Sequence, residues 1–256
     1  MTNYVIFDTL VEGANRAPFD AVKTLLARLN IQATSLAGTK SDPGFDSKTL
    51  NTKAYQAIFE NALTKADEAK ATIIALENSS YLGLLDAKQA TQSAVEIIDA
   101  NTLIVQIIGE ENLAKAIKHP FTAFNAGIHY GSEAVEQKAL STLLNIVGAK
   151  EVALNRAFHD NGYSIQRVDK EIAFKMAGAI MLDVFDTACD FVIVNDIRSF
   201  TMFDTQQKKL ARTVGRDIGL AGLPVLSMAQ VLLMALGEIT PSANHTDKHA
   251  IKPTFL

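Results

Sequence analysis

The sequence predicts an α/β protein of two similar lobes, each with a short parallel sheet flanked by helices. Two observations support this prediction. The apolar runs TIIAL and FVIV are typical of buried strands, and each follows a long helical segment. The same order of helix, strand and acid-x-x-Ser loop occurs twice in the 256 residues. Because strand–helix–strand order favours parallel crossovers, we expect an internal pseudo-repeat whose loops at the carboxyl ends of the strands face a shared cleft.

The first half begins with a predicted strand, YVIF, at 4–7, and a helix over about 18–29. The short segment IQATSL leads into a loop at 38–47, which Gly, Pro, Asp and Ser mark as irregular. A longer helix is predicted over about 46–67, before the strand TIIAL at 72–76. Apolar residues recur along this helix at four-residue intervals, as in a core-facing stripe. The stripe consists of Leu50, Ala54, Ile58, Ala62 and Ala66.

The segment at 91–121 has the periodicity of one or two helices that end at Pro120. The second half then begins with a predicted strand, AGIHY, at 126–130. It continues through helices over about 133–147 and 168–187, which are separated by the short segment EVAL and a polar loop. After the strand FVIV, the run LPVLSMAQVLLMALG reads as a buried helix entered through Pro224.

The two helix-then-strand blocks align without a gap, which indicates an internal duplication. The alignment pairs Ala54 with Ala173, Ile73 with Val192, and Glu77 with Asp196. We therefore expect a first α/β lobe with connecting helices over 1–122 and a second lobe with an irregular tail over 123–256.

Composition excludes several classes of function. The net charge is −4 and charges of both signs are mixed, which argues against a nucleic-acid-binding protein. A single cysteine, Cys189, allows no internal disulfide and suits a reducing cytoplasm. The N-terminus has no basic region typical of a signal peptide. The longest apolar run is shorter than the roughly 20 residues of a membrane helix, so we predict no membrane span and a cytoplasmic location.

Several segments of the chain resemble those of a known protein family. YVIFDTL resembles the opening strand of that family, with Leu10 where a cysteine would stand. The block from FDSKTL to YLGLL follows its long helix, strand and C-x-x-C loop, with Glu77 and Ser80 at the cysteine positions. GIHYGSE is similar to a His-Tyr-Gly-Cys segment, with Ser132 in place of the cysteine.

The match continues to the end of the chain. The loop containing His159 and Asp160 falls where a double cysteine and glycine belong, and Asp196 and Ser199 replace a second C-x-x-C. LPVLSMAQVLLMALG and TDKHAIKP are similar to the closing helix and tail of the family. The chain thus resembles the B-type subunits of heterodisulfide reductase and the related duplicated cysteine-rich CCG-domain proteins.

The resemblance implies a fold but not the chemistry of the family. In the family, the cysteines bind iron–sulfur clusters, and in some members zinc, for electron transfer or disulfide reduction. Such clusters need thiolates, generally about four each, and Cys189 lies outside every motif. We therefore expect no cofactor. The vestigial ligand positions implied by the resemblance are Leu10, Glu77, Ser80, Ser132, His159, Asp160, Asp196 and Ser199.

The remaining polar residues allow two other sites. His129, His159 and Asp196 are candidate ligands of zinc or another divalent metal, although they lack the close spacing of a metal motif. Glu77 and Asp196 are a candidate carboxylate pair for acid–base chemistry. A Ser132–His159–Asp196 triad lacks the Gly-x-Ser-x-Gly elbow and is not favoured.

The loss of the thiolates favours a non-catalytic role over an enzymatic one. We expect a cluster-free binding or structural subunit of a redox complex, with iron–sulfur or flavoprotein subunits as the partners implied by the resemblance. The alternative is a redox or metal-dependent enzyme with a replacement metal or small ligand in the cleft. A basic helical segment, FDTQQKKLARTVGRD, is read either as a solvated face or as a surface for an acidic partner.

Overall fold

The computed structural model describes residues 2–9, 13–44, 46–133, 138–216 and 222–254. The chain forms two compact units. The first consists of Met1–Glu12 and Val22–Ile108, and the second of Gly13–Ala21 and Gly109–Leu256. Residues 109–122, which we predict in the first lobe, group with the second unit.

The first unit is built on a four-stranded parallel sheet in the order β2-β1-β3-β4. Its central strand, β3, is buried along its whole length and pairs with β1, so that Ile73 lies opposite Val5. Helix α1 (Ala17–Arg28) is divided between the units, because its residues up to Ala21 group with the second unit. The elements are β1 (Asn3–Phe7), α1 (Ala17–Arg28), β2 (Ala33–Ser35), α2 (Asp46–Leu50), α3 (Thr52–Glu68), β3 (Ala71–Ala75), α4 (Asn78–Thr91), β4 (Ile97–Asp99) and α5 (Ala100–Ile108).

The second unit repeats this plan with a parallel sheet in the order β6-β5-β7-β8. Strand β7 takes the place of β3, and Val192 lies opposite Gly127 of β5. A π-helical turn, Thr201–Thr205, lies between α9 and α10. The elements are α6 (Glu110–Ala116), β5 (Asn125–His129), α7 (Lys138–Val147), β6 (Lys150–Val152), α8 (Lys170–Asp186), β7 (Phe191–Val194), α9 (Ile197–Phe200), α10 (Gln207–Thr213), β8 (Val225–Leu226) and α11 (Met228–Ala235).

These two sheets confirm the predicted fold class of two similar α/β lobes with an internal pseudo-repeat. Two segments predicted as helix alone also contain strands. Residues Ile97–Asp99 form edge strand β4, and Val225–Leu226 form β8 before α11 begins. Ser227 ends β8 and caps α11 through a reciprocal capping box with Gln230, which explains the change of structure within one apolar run.

The predicted long helix of the first unit is interrupted at Asn51. This residue leaves helical geometry and caps α3, because its side chain accepts a hydrogen bond from the Ala54 amide at 3.0 Å. The core-facing stripe therefore differs from the predicted one. Leu50 is 80% exposed, whereas Tyr55 and Phe59 are buried.

The helices of the two units match in a register that differs by one residue from the gap-free alignment. The helix caps Asn51 and Asp169 correspond. So do Lys70 and Ala188, which follow the helices and have φ angles of 49° and 54°. The predicted pairing of Ala54 with Ala173 is therefore wrong. In the structure, Ala173 corresponds to Tyr55.

The strands keep the register that the sequence predicts, with Ile73 on Val192. The second unit thus has one more residue between Ala188 and Val192 than the first unit has between Lys70 and Ile73, in the turn that contains Cys189. None of the helices in the described ranges is both long and apolar enough to cross a membrane.

Candidate functional site

The acid-x-x-Ser loops lie at equivalent places in the two units. Glu77 follows β3 and is the N-cap residue of α4, and Asp196 follows β7 and is the N-cap residue of α9. Ser80 and Ser199 lie in the first turns of those helices, and all four side chains are buried. Each loop is therefore at the carboxyl end of a central strand, where parallel sheets place their ligands.

A chain of hydrogen bonds in the second unit connects positions that the resemblance marks as vestigial ligand positions. His129, at the end of β5, is 1% exposed, and its Nε2 lies 3.1 Å from the carbonyl oxygen of His159. Its Nδ1 lies 3.1 Å from Oγ of Ser199. Asn161 donates from Nδ2 to the same Oγ at 2.9 Å, and its Oδ1 accepts from the Tyr163 amide at 2.9 Å.

These partners determine the tautomer of His129. Since a carbonyl oxygen only accepts, Nε2 carries the proton and donates to His159. Nδ1 then accepts from the Ser199 hydroxyl, whose oxygen accepts from Asn161. Burial lowers the pKa of His129 to about 4, so the imidazole is neutral at pH 7. Both imidazole nitrogens are therefore occupied by protein groups.

Asp196 is bound by Arg198 rather than by a histidine. The guanidinium donates from Nε to Oδ1 at 2.9 Å and from Nη2 to Oδ2 at 2.8 Å, a bidentate pair. The Arg198 amide also donates to Oδ1 at 2.8 Å, and Nη2 reaches Glu133 at 3.3 Å. The negative charge of Asp196 is thus compensated by Arg198, which lies in the first turn of the same helix.

The other sequence-predicted positions of the second unit are exposed. Ser132 contacts Asp160 at 3.4 Å, a long hydrogen bond at the surface. Nδ1 of His159 lies 3.3 Å from Nη1 of Arg156. Only the backbone carbonyl of His159 joins the buried network, so its imidazole and that of His129 have separate partners.

The first unit contains a similar arrangement. Ser80 donates a short hydrogen bond to Oδ2 of Asp42, and both side chains are buried. Oδ1 of Asp42 accepts from the Gly44 amide at 2.8 Å, and its own amide donates to the Asp8 carbonyl at 2.8 Å. Leu10, the remaining vestigial position, lies outside the described residues.

The side chains present do not fit an iron–sulfur cluster. The loops offer carboxylate, hydroxyl, amide and imidazole groups, whereas cluster irons are held by thiolates. Cys189 precedes β7, at the opposite end of that strand from Asp196, and it is buried against Thr187 at 3.3 Å. Burial raises the pKa of its thiol, which disfavours the thiolate that a metal requires.

Metal binding at His129, His159 and Asp196 stays a prediction. Within the ranges that the structure describes, no group of three His, Cys, Asp or Glu side chains is placed to hold a metal ion. Glu77 and Asp196 are in different units, each at the end of its own sheet.

Sequence reasoning missed three residues of these networks, Asp42, Asn161 and Arg198. A signal for two of them was present, because both loops read Asp-x-Gly, at Asp42–Gly44 and Asp160–Gly162. This pattern is typical of turns in which an Asp side chain accepts from the amide two residues on. Arg198 carried no comparable signal, because arginine two residues after an acid is common on helix surfaces.

Removing a buried serine should cost more stability than removing an exposed one. Ser199→Ala removes the hydroxyl that bonds to His129 and Asn161, and Ser80→Ala removes the hydroxyl that donates to Asp42. We expect each to lower the free energy of unfolding by about 2–4 kcal/mol. Ser132→Ala, at an exposed former ligand position, should change it by less than about 0.5 kcal/mol. Urea unfolding measures all three, and equal small effects would contradict the buried networks.

Comparison with known proteins gives one family match. Residues 163–250 match the family described as HdrB-like C-terminal domain. No curated protein matches the chain. The match runs from before α8 to beyond α11, and it therefore includes Asp196 and Ser199, which follow the central strand β7.

Two solved structures show the extent of the structural similarity. That of a hypothetical protein from Helicobacter pylori superposes with a TM-score of 0.84 and 20% identity and covers 100% of this chain. This chain spans about half of that one, 53%. The structure of an aspartate racemase homologue from Pyrococcus horikoshii matches 93% of this chain and 99% of its own length. Its identity to this chain is 13%, and its TM-score is 0.39. Residues 163–250 are therefore similar to the HdrB-like C-terminal domain, and the whole chain is similar in fold to the Helicobacter pylori protein.

Proposed function

We propose that this HdrB-like protein is a cluster-free binding or structural subunit of a redox complex. The observation that carries the proposal is that buried former ligand positions bond to protein groups: Ser80 to Asp42, and Ser199 to His129 and Asn161. Since these oxygen and nitrogen groups satisfy one another, the loops hold their shape without a cluster. The retained α/β framework then serves to present a surface.

The first test measures metal content. Protein purified without oxygen should be colourless and contain far less than one iron and one acid-labile sulfide per chain, because the loops lack thiolates. Cys189→Ser should leave the absorption spectrum unchanged. Stoichiometric iron and sulfide would overturn the proposal.

The second test identifies the partners. The tagged chain, recovered from its native cells, should co-purify with an iron–sulfur or flavoprotein subunit, in amounts close to its own. A tagged variant with a destabilised second unit, such as Ser199→Ala, controls for non-specific capture. Recovery of the wild-type chain alone would contradict the proposal.

The metal-dependent alternative is tested by titrating zinc into the wild type and His159→Ala by calorimetry. Since His129 is fully bonded, we expect no saturable heat. Tight binding that the substitution weakens by about tenfold or more would instead support a replacement metal in the second unit.

A further inference from the structure

Helix α10 presents three cations on a face that lies opposite its buried side. Lys208, Lys209 and Arg212 are exposed, whereas Leu210 and Ala211 are buried. We call the three exposed cations the basic ridge. The buried face packs mainly against α8, so the ridge points away from the core of the second unit.

The helix that carries the ridge is fixed by a buried side chain. Gln207 is 1% exposed and donates from Nε2 to the carbonyls of Phe203 at 2.9 Å and Leu223 at 2.8 Å. Its Oε1 accepts from the Leu223 amide at 2.6 Å. A Cβ added to Gly222 would lie 2.7 Å from this oxygen, so the contact leaves no free space. The backbone of the ridge is thus held in place before any partner binds, which reduces the entropy cost of binding.

The charges of the ridge are not compensated within the helix. Lysines on other exposed helices pair with acids one turn away: Lys115 with Glu111 at 2.7 Å and Lys175 with Glu171 at 2.6 Å. Helix α10 contains no acid. In the described part of the chain, neither Lys208 nor Arg212 forms an ion pair.

The two outer cations of the ridge are also four residues apart in the helix. Like charges at this spacing destabilise a helix by about 0.2–0.5 kcal/mol. Among the described residues, Lys209 donates to the neutral side-chain amide of Gln206, at 3.1 Å. A net negative chain therefore carries a helix whose three cations repel one another in the isolated unit.

We propose that the basic ridge binds a short acidic segment of a partner protein. This inference rests on the proposed function and names the chemistry of the partner. Lys208 and Arg212 are separated by about 6 Å along the helix axis, which suits two or three neighbouring carboxylates. The planar fork of Arg212 provides bidentate recognition of one of them.

The small number of cations in the basic ridge argues against nucleic acids and anionic membranes as its partners. Nucleic-acid-binding proteins commonly contact about 6–10 phosphates, and membrane-binding basic clusters carry about 4–8 cations. The ridge supplies three cations on a protein of net charge −4, which repels an extended polyanion. A compact acidic segment meets the ridge without approaching the rest of the surface.

The test uses a fluorescein-labelled peptide of alternating glutamate and alanine, with binding to the full chain followed by fluorescence anisotropy at low salt. We expect saturable binding that weakens by about tenfold or more in the triple variant Lys208→Glu, Lys209→Glu, Arg212→Glu. The matched control, Lys115→Glu, Lys138→Glu, Lys175→Glu, has the same net charge and should bind within about twofold of the wild type. Thermal melts establish that both variants fold.

Three results would overturn the inference: no saturable binding by the wild type, equal losses in both variants, or tighter ridge-dependent binding of duplex DNA or phosphatidylserine vesicles. The proposed function is tested separately. If partners co-purify equally with the wild type and the ridge variant, the ridge inference fails while the binding function stands. Stoichiometric iron would overturn the function whatever the peptide does.

Discussion

Lowering the pH from 7 to 4 should reduce the free energy of unfolding by about 3–4 kcal/mol through three buried groups. Burial lowers the pKa of His129 and of His249 to about 4. The unfolded chain, with histidine pKa values near 6.5, binds more protons between pH 4 and 6.5, so stability falls as the pH falls through this range.

Asp204 acts in the opposite direction. Burial raises the pKa of this carboxyl to about 6, although the amides of Ala250 and Ile251 donate to it. The folded chain therefore binds more protons at this group between about pH 4 and 6, and its contribution stabilises the fold on acidification. Two histidines outweigh one carboxyl, so the net effect is a loss of stability in acid.

Substitutions separate these contributions. His129→Gln should remove about 3 kcal/mol, which is most of the net acid-dependent loss, and Asp204→Asn should enlarge the loss by about 2 kcal/mol. His119→Gln is the matched control, because His119 is exposed. Urea unfolding at a series of pH values measures each slope. A wild-type stability that is constant from pH 7 to 4 would contradict the assignment of neutral, buried histidines.

Gly162→Ala should destabilise the protein by about 3–5 kcal/mol, whereas Gly44→Ala should cost about 1–2 kcal/mol. The two glycines occupy equivalent turns, since each amide donates to the aspartate two residues before, Asp160 at 2.6 Å and Asp42 at 2.8 Å. Both have positive φ angles, 73° and 84°, which penalise alanine similarly.

The difference between the two positions lies in the space around them. An added Cβ at Gly162 would meet the carbonyl oxygen of Ala173 at 2.7 Å and its Cα at 2.8 Å, both backbone atoms of α8. At Gly44 no atom of the described residues, apart from its chain neighbours, lies within 4 Å of an added Cβ. Gly44→Ala therefore measures backbone strain alone, and Gly162→Ala measures strain plus a backbone clash. Equal losses of stability in urea unfolding would show that α8 shifts to accept the methyl group.

The sequence by itself determined the class of fold and the place of the candidate site. Apolar runs identified β1, β3, β5 and β7, because a strand buried on both faces has a continuous apolar sequence. The repeat of an acid and a serine after TIIAL and FVIV correctly placed Glu77 and Asp196 at equivalent strand ends. Both signals are local, so a single chain contains them in full.

Tertiary structure decided the edges and the register. The short strands β4 and β8 have two or three residues each, too few for a period to be recognised, and they form strands because β3 and β7 offer them partners. The helix interruption at Asn51 exposes Leu50 and moves the buried stripe of α3. The side chain of Asn51 satisfies an amide at that point, a capping contact that the four-residue apolar interval did not reveal.

Tertiary structure also decided which groups the buried polar side chains of the two loops bind. The hydrogen bond between Ser80 and Asp42 and the one between Asn161 and Ser199 each join residues 38 positions apart. His129 and Ser199 are 70 positions apart. No local pattern predicts such pairs, because they form only when packing of the long helices against the sheets brings the loops together. The sequence therefore located the candidate site, and the packing of each unit determined which groups in it bind one another.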